Sequence, residues 1–361
     1  MNKPITIVGG GLAGLTLGVG LLRCGVRVML WEAGRYPRHR VCGEFISGRG
    51  LETLERLGLR ASLEAAGART AQSAAFFSST EGMSAWRLPS AALCLSRADL
   101  DALLAREFGR RGGELRAGMR WPGKAYAEGV VRATGRRTQS EEGGDRWFGL
   151  KVHARRVALS ADLEMHLTRN GYVGLCRLGG GEVNVCGLFR REVGVQLSAD
   201  PATSQPLPDA LKRESKPSHD CLRGRPGSPL HQRLRAAEFD QSTACAVAGL
   251  SLRPHRAGQR GECCVGDAIT MIPPITGNGM SMAFESAELA IEPLTRWSRG
   301  EIGWPAAQRC LARRCDAAFS GRLVWARWLH RLLLSERWPG PLLSLAGRSD
   351  WVWRFCFDRT R

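Results

Sequence analysis

The chain lacks any uninterrupted apolar run of about 18 residues, so no membrane-spanning helix is expected in its 361 residues. Its 12 cysteines include no C-x-x-C pair, although Cys263 and Cys264 are adjacent. Neither a zinc spacing nor a disulfide framework emerges. His153, His166 and His255 lie far apart in sequence, and no metal site is expected. Acidic residues are scarce, 34 against 52 Lys and Arg, leaving a formal net charge of +18. Nearly all the basic residues are Arg, but they form no unbroken block. The charge is therefore expected to spread over the surface, and nucleic acid is not an expected partner. A strand so near the start leaves no room for a signal peptide, and a reduced, cytoplasmic protein is expected. With 43% hydrophobic and 24% charged residues, the chain is ordinary for a folded protein of two domains or one large one.

The most informative stretch is Ile5-Thr6-Ile7-Val8-Gly9-Gly10-Gly11-Leu12-Ala13-Gly14, followed by Val26-Arg27-Val28-Met29-Leu30-Trp31-Glu32-Ala33. A β-branched apolar run predicts a buried strand, and Gly9, Gly11 and Gly14 supply G-x-G-x-x-G at the opening of a helix. Gly9 permits the tight turn, Gly11 the close approach of a pyrophosphate, and Gly14 close packing of the helix. The helix N-terminus offers unpaired N–H groups to phosphate. Glu32, at the end of a second strand, is placed to accept from ribose hydroxyls. The pattern is that of a dinucleotide site.

Beyond it, residues 35–45 read as a basic loop and 51–63 as one amphipathic helix. Residues 74–77 are strand-like, and Ser96 caps a helix that begins Arg97-Ala98-Asp99. Residues 130–135 form a short buried strand. Strand-like runs at 148–159, 171–178 and 182–189 predict antiparallel sheet. Residues 198–229 read as a long loop with at most one short helix near 209–213. A buried strand is expected at 263–269 and a helix at 279–294. The expected organisation is dinucleotide-binding parts at 1–72, 96–146 and 256–300, a strand at 73–95 that belongs with a second, antiparallel domain at 147–255, and a helical segment at 301–361. That last segment is rich in Trp, Leu and Arg. It is expected to dock on its own protein, with contact to a membrane surface as the alternative.

Val265-Gly266-Asp267-Ala268 and Pro273-Pro274-Ile275-Thr276-Gly277-Asn278-Gly279-Met280 form a second element that an NAD site does not need. FAD does need one: a carboxylate at a strand end can hold a ribityl hydroxyl. A glycine-rich loop opening a helix also puts N–H groups near the flavin edge that gains charge on reduction.

Glu32, Arg97, the Gly266-Asp267 pair and the loop from Pro273 to Gly279, in this order, resemble the flavoprotein superfamily of aromatic hydroxylases and geranylgeranyl reductases. Val41-Cys42-Gly43-Glu44-Phe45 and Gly277-Asn278-Gly279-Met280 look closer to the geranylgeranyl-reductase-like branch. The resemblance implies an α/β fold: a Rossmann-type FAD-binding domain, an antiparallel β-sheet substrate domain and a helical C-terminus. It implies FAD bound by Gly9, Gly11, Leu12, Ala13, Gly14, Glu32, Ala33, Arg40, Val41, Arg97, Gly266, Asp267, Gly277, Asn278, Gly279 and Met280. Cys42 and Glu44 are the candidate catalytic residues on the loop that the family folds toward the flavin, and Tyr172 and Cys176 the candidate substrate-pocket residues.

The chain also departs from the family. Ala133-Thr134-Gly135 stands where the hydroxylases have an Asp-Gly pair, and the Trp-containing motif of flavin halogenases is missing. The segment between Glu114 and Val130 is short, so a small sheet is expected to be trimmed. The implied function is an FAD-dependent oxidoreductase acting on a lipophilic, isoprenoid- or polyketide-like small molecule. Its expected reaction is C=C reduction, with NAD(P)H as a candidate donor. The alternatives are a monooxygenase of a hydrophobic or aromatic substrate, and a tRNA-modifying or non-catalytic FAD-binding protein.

Overall fold

The computed structural model describes residues 2–78, 85–136, 147–190, 219–335 and 349–361; the short helix expected near 209–213 lies outside them. The apolar run at the start forms β1 (Ile5–Val8), paired in parallel with β2 (Val28–Glu32) and β7 (Val130–Arg132). With β6 (Glu114–Ala117) these make a parallel sheet in the order β6-β2-β1-β7. Both faces of such a sheet must be covered, which explains why Ile5, Ile7 and Val8 of β1 are apolar and buried. α1 (Leu12–Arg23) is buried from Leu12 to Leu21. It lies against α4 (Arg97–Arg110) and α6 (Gly279–Ser298). Ser96 caps α4 by accepting from the Asp99 N–H at 3.1 Å. Residues 118–129 form no strand, in keeping with the trimmed segment expected there.

Three local expectations are corrected. Residues 51–63 are not one helix but two, α2 (Arg49–Arg56) and α3 (Arg60–Ala65). Gly58, at φ 70, turns the chain between them, as glycine does after a helix end. Residues 263–269 are not a strand: Cys264 makes a single parallel bridge with Arg132. A 3-10 turn at Gly266–Ala268 then carries the chain away from the sheet edge. Helix α6 runs past Pro293 to Ser298.

The second layer is a sheet in the order β12-β8-β11-β10-β9-β4-β5-β3. Its strands are β3 (Phe45–Ile46), β4 (Arg69–Phe77), β5 (Trp86–Cys94), β8 (Trp147–Arg155), β9 (Leu163–Thr168), β10 (Gly171–Arg177), β11 (Val183–Arg190) and β12 (Glu238–Leu250). All its pairings are antiparallel except β4 with β9, which is parallel. β3 and the start of β4 thus join this sheet although they fall within residues 1–72. One face, with Leu150, Val152, Val173, Leu175 and Val185, packs on Leu222 and on Leu230 and Leu234 of α5 (Pro229–Leu234). The other face turns toward the first layer.

At the C-terminus, α7 (Trp304–Leu333) places Leu311, Cys315, Phe319, Leu323 and Ala326 in the main core. α8 (Asp350–Arg359) adds Trp353 and Phe357 to a second cluster with Phe45 and Leu88. A buried ion pair pins α7 to α6. Both terminal nitrogens of Arg322 donate to the Glu285 carboxylate, each at 2.7 Å. Removing one partner would strand a charge in the core. Glu285→Ala is therefore expected to cost about 3–5 kcal/mol, read as a fall in the urea midpoint with an unchanged slope.

Candidate active site

The glycine turn has the geometry its spacing predicts. Gly9 has φ +115, and a Cβ there would lie 2.3 Å from the Ala133 carbonyl oxygen. A Cβ on Gly14 would lie 1.9 Å from the Gly9 carbonyl oxygen, so the helix sits on its own turn. A Cβ on Gly11 would meet nothing within 4 Å, which leaves open space before the first turn of α1. No side chain caps that helix, and its first N–H groups remain available to an anion. The second motif closes on the same place: a Cβ on Gly266 would be 2.8 Å from the Ala13 Cβ. Leu12 and Ala13 are buried in this contact region. The fold thus brings together two motifs far apart in sequence.

Glu32 differs from expectation. Its carboxylate accepts from the Gly10 and Gly34 N–H groups, both at 2.7 Å, and from Arg38 Nη1 at 2.6 Å. Burial works against the charged form, but Arg38 and the two backbone donors outweigh it and hold the pKa at about 2. Instead of waiting bare for ribose hydroxyls, Glu32 orders the loop after β2. Ala33 is exposed at the strand end. Tyr36 reaches back to donate to the Gly10 carbonyl at 2.6 Å.

Arg97 is likewise tied down, donating to both oxygens of the fully buried Asp101 at 2.9 and 3.0 Å. Arg40 Nε lies 3.7 Å from the same carboxylate. The region holds surplus donors: Arg38 Nε and Nη2, Arg40 Nε and Arg136 Nη1 are buried without a hydrogen-bond partner. Unpaired buried guanidinium groups are costly, and a diphosphate near the open space at Gly11 would satisfy them. The half-buried Asp267 makes no hydrogen bond among the described residues. Burial pushes its pKa up to about 6, against the pull of Arg97 and Arg136. A carboxylate awaiting a hydroxyl partner has this character. The residues present therefore fit FAD.

At the flavin-ring end, Gly277 has φ +64 and a Cβ there would lie 3.5 Å from the Phe45 ring. Gly279 and the buried Met280 open α6, whose N-terminus has no side-chain cap. Asn278 Nδ2 donates to the Thr360 carbonyl at 2.5 Å, so its side chain anchors the end of α8. Arg361 follows, donating to Ser47 Oγ at 2.8 Å and lying 3.5 Å over the Phe357 ring.

The loop residues 39–44 meet the inner face of the large sheet. Val41 packs on Gly149, where a Cβ would be 2.8 Å from it. Glu44, at φ 58 and fully buried, is the centre of an ionic knot. One oxygen accepts from the Arg97 N–H at 2.9 Å and lies 3.2 Å from Lys151 Nζ; the other lies 2.8 Å from His153 Nε2. Burial alone would raise the Glu44 pKa, but His153 and Lys151 lower it. Glu44 is thus held as a carboxylate beside the His153 ring. Lys151 Nζ also lies 3.0 Å from His39 Nδ1. Ligand atoms of His39, Glu44 and His153 fall within 4.8 Å of one another, but the Lys151 ammonium already sits where a cation would go.

Cys42 and Cys176 are not activated nucleophiles. Cys42 Sγ accepts from the Glu44 N–H at 3.5 Å, and burial raises its pKa despite Arg97. Cys176, raised by neighbouring Cys94 and by burial, points its thiol at the Glu44 carbonyl at 3.8 Å. It supports the loop from beneath. Tyr172 lies farther along the same face, in an apolar cluster with Trp147, Met165, Leu188, Ile275 and Leu333. Its hydroxyl has no hydrogen-bond partner among the described residues, and burial holds its pKa well above 10.

His39, Lys151 and His153 were not singled out from sequence as site residues. A signal was available: Lys151 and His153 stand two apart in the strand Phe148-Gly149-Leu150-Lys151-Val152-His153-Ala154, hence on one face. A Lys and a His alternating with core residues mark a face turned toward charge.

Asp267 generates the prediction of this section. Its folded pKa is raised, so its charged form opposes folding of the apoprotein. That penalty is fully present above pH about 6 and disappears below the ordinary 3.8. Asp267→Asn is expected to raise the apoprotein melting temperature at pH 8 and leave it unchanged near pH 3.5. The same variant should weaken FAD binding roughly 10-fold through one lost hydrogen bond to a charged group, measured by flavin fluorescence titration.

Residues 2–155 match the family described as FAD binding domain. No curated protein sequence matches the chain. Among solved structures it is similar to the flavin-dependent brominase Bmp2, at 16% identity and TM-score 0.71 over 99% of this chain and 92% of that one. It is also similar to PqsL of Pseudomonas aeruginosa, described as a probable FAD-dependent monooxygenase. That likeness has 17% identity and TM-score 0.69, over 94% of this chain and 99% of that one. A third is the myxobacterial chondrochloren halogenase CndH, at 19% identity and TM-score 0.67 over 91% and 81%. The chain is a flavoprotein whose cofactor is FAD, built on the fold that these flavin-dependent enzymes share.

Proposed function

We propose that the protein is an FAD-dependent oxidoreductase of monooxygenase type acting on a hydrophobic small molecule. The observation that carries this is the division of the inner sheet face. One end is a dry ionic knot of Glu44, Lys151, His153 and His39; the other is the apolar cluster around Tyr172. Ile275, from the loop before α6, belongs to that apolar cluster, so the flavin loop and the pocket share a wall. Reduced FAD supplies the electrons that activate dioxygen, with NAD(P)H as the proposed donor.

The chain's own residues do the rest. The apolar end binds the substrate and excludes water, and the Tyr172 hydroxyl orients it by donating to a substrate oxygen. His153 and Glu44 move protons. His153 Nδ1 lies 3.5 Å from Glu182 Oε2, and half-exposed Glu182 pairs with exposed Arg155 at 2.7 Å. The route runs from solvent to the buried carboxylate. The same proton route also serves the second reading, C=C reduction of a lipophilic substrate, which needs a proton delivered to carbon as hydride arrives.

The deciding measurement is turnover of hydrophobic aromatic and unsaturated compounds by the holoprotein with NAD(P)H, with and without labelled dioxygen. A product carrying one labelled oxygen supports the monooxygenase; a product gaining only two hydrogens without dioxygen supports the reductase. His153→Ala is expected to lower turnover roughly 100-fold at unchanged FAD content, whereas Tyr172→Phe should act mainly on KM. Loss of FAD from His153→Ala would instead make the knot part of the cofactor site.

A further inference from the structure

The outer side of α7 and α8 carries a feature that the active site does not use. Trp328, Trp325, Phe355 and Trp351 form a continuous row across the two helices. Their successive ring centroids lie 5.5, 5.4 and 5.4 Å apart. Both ends of the row are open to solvent, and Trp325 and Phe355 between them are half-buried. Trp351 is 71% exposed, Trp328 51%, and the neighbouring Val324 66%. Together with Met119, these are the exposed large hydrophobic residues among those described. Apolar rings left in water are costly unless something covers them, and a contiguous row of this kind marks an interaction surface.

The charge around the row indicates what covers it. Arg359 lies over both the Trp325 and Phe355 rings, at 5.8 and 5.1 Å. Arg327 and Arg331 stand on the same stretch of α7, where residues 320–335 include no Asp or Glu. α8 carries two acids, Asp350 and Asp358, against Arg354 and Arg359. Trp with Arg on one helical face suits the boundary between lipid headgroups and acyl chains. The whole chain, at +18, is drawn toward an anionic surface. No described helix is long and apolar enough to cross a membrane, so this face can only lie on one.

We propose that the Trp328–Trp325–Phe355–Trp351 row, with Arg327, Arg331 and Arg359, docks the protein on the surface of an anionic lipid bilayer. The inner side of α7 gives the docking a purpose. Leu329 and Leu333 face inward to the apolar cluster around Tyr172, on the same turns that present Trp328 and Arg331 outward. One helix therefore separates the lipid surface from the proposed hydrophobic pocket. The docking itself does not depend on which reaction occurs there.

The test is co-sedimentation of the holoprotein with vesicles of phosphatidylcholine alone and of phosphatidylcholine with phosphatidylglycerol. Binding is expected to the anionic vesicles, to weaken with salt, and to be accompanied by quenching of Trp fluorescence by brominated acyl chains. Arg331→Glu combined with Arg359→Glu should lower the partition coefficient roughly 10-fold or more. Trp328→Ser combined with Trp351→Ser should abolish quenching. Both variants should keep the flavin spectrum, since all four residues lie outside the cofactor site. Absence of binding to anionic vesicles, or equal binding by wild type and both variants, would overturn the proposal. So would a stable dimer in light scattering that dissociates in the Trp double variant, since the row would then be a contact between copies of this chain. Vesicle binding is read without turnover, so an inactive protein that binds lipid separates this proposal from the reaction assigned above.

Discussion

The Glu44 carboxylate joins the two layers. It is fully buried, and a lone charge at such a position would be prohibitively costly. Its compensation comes from three directions: the first N–H of α4, the Lys151 ammonium and the His153 ring. The loop that carries Glu44 also carries Arg40 and Cys42, so satisfying this one charge places the loop between the parallel sheet and the inner face of the large sheet. The positive φ of Glu44 is strain of the kind that persists only where the surroundings over-determine it. The Asn184 side chain adds a hydrogen bond to the Cys42 carbonyl at 2.9 Å, fixing the loop from the sheet side as well.

The cofactor half follows a different logic. Its precision comes from absent side chains. Gly9, Gly14 and Gly266 sit where a Cβ would meet neighbouring atoms at 2.3, 1.9 and 2.8 Å. They allow β1, α1 and the turn after Cys264 to converge on one small volume. Charge is then arranged around that volume. Asp101 and Glu32 hold Arg97 and Arg38 in place, while several guanidinium donors stay without partners. This arrangement of anchored cations and spare donors suits a diphosphate. It also shows why the two acids serve the protein's own Arg residues first.

Part of this was legible in the chain. The strand–glycine–helix pattern, the Ser96 cap and the helix after Gly279 depend on short-range sterics and hydrogen bonding, and they stand where their residues predict. The break at Gly58 was also local, but the apolar spacing of Leu51, Leu54 and Leu57 continues across it and hides the turn. Cys263 to Ile269 reads as a buried strand because burial and strand formation favour the same residues. Only one bridge forms there because Gly266 turns the chain toward Ala13.

The sequence by itself determined the dinucleotide turn, because it rests on contacts between near neighbours, and pointed to FAD and the α/β class through the order of its motifs along the chain. Tertiary structure decided the long-range polar partners: Asn278 with the Thr360 carbonyl, and Glu44 with a Lys and a His more than a hundred residues away, whereas Glu32–Arg38 and Arg97–Asp101 are pairs six and four residues apart. The physical reason is that a buried charge is stabilised by whatever counter-charge the fold brings within about 3–4 Å, and sequence distance carries no information about that.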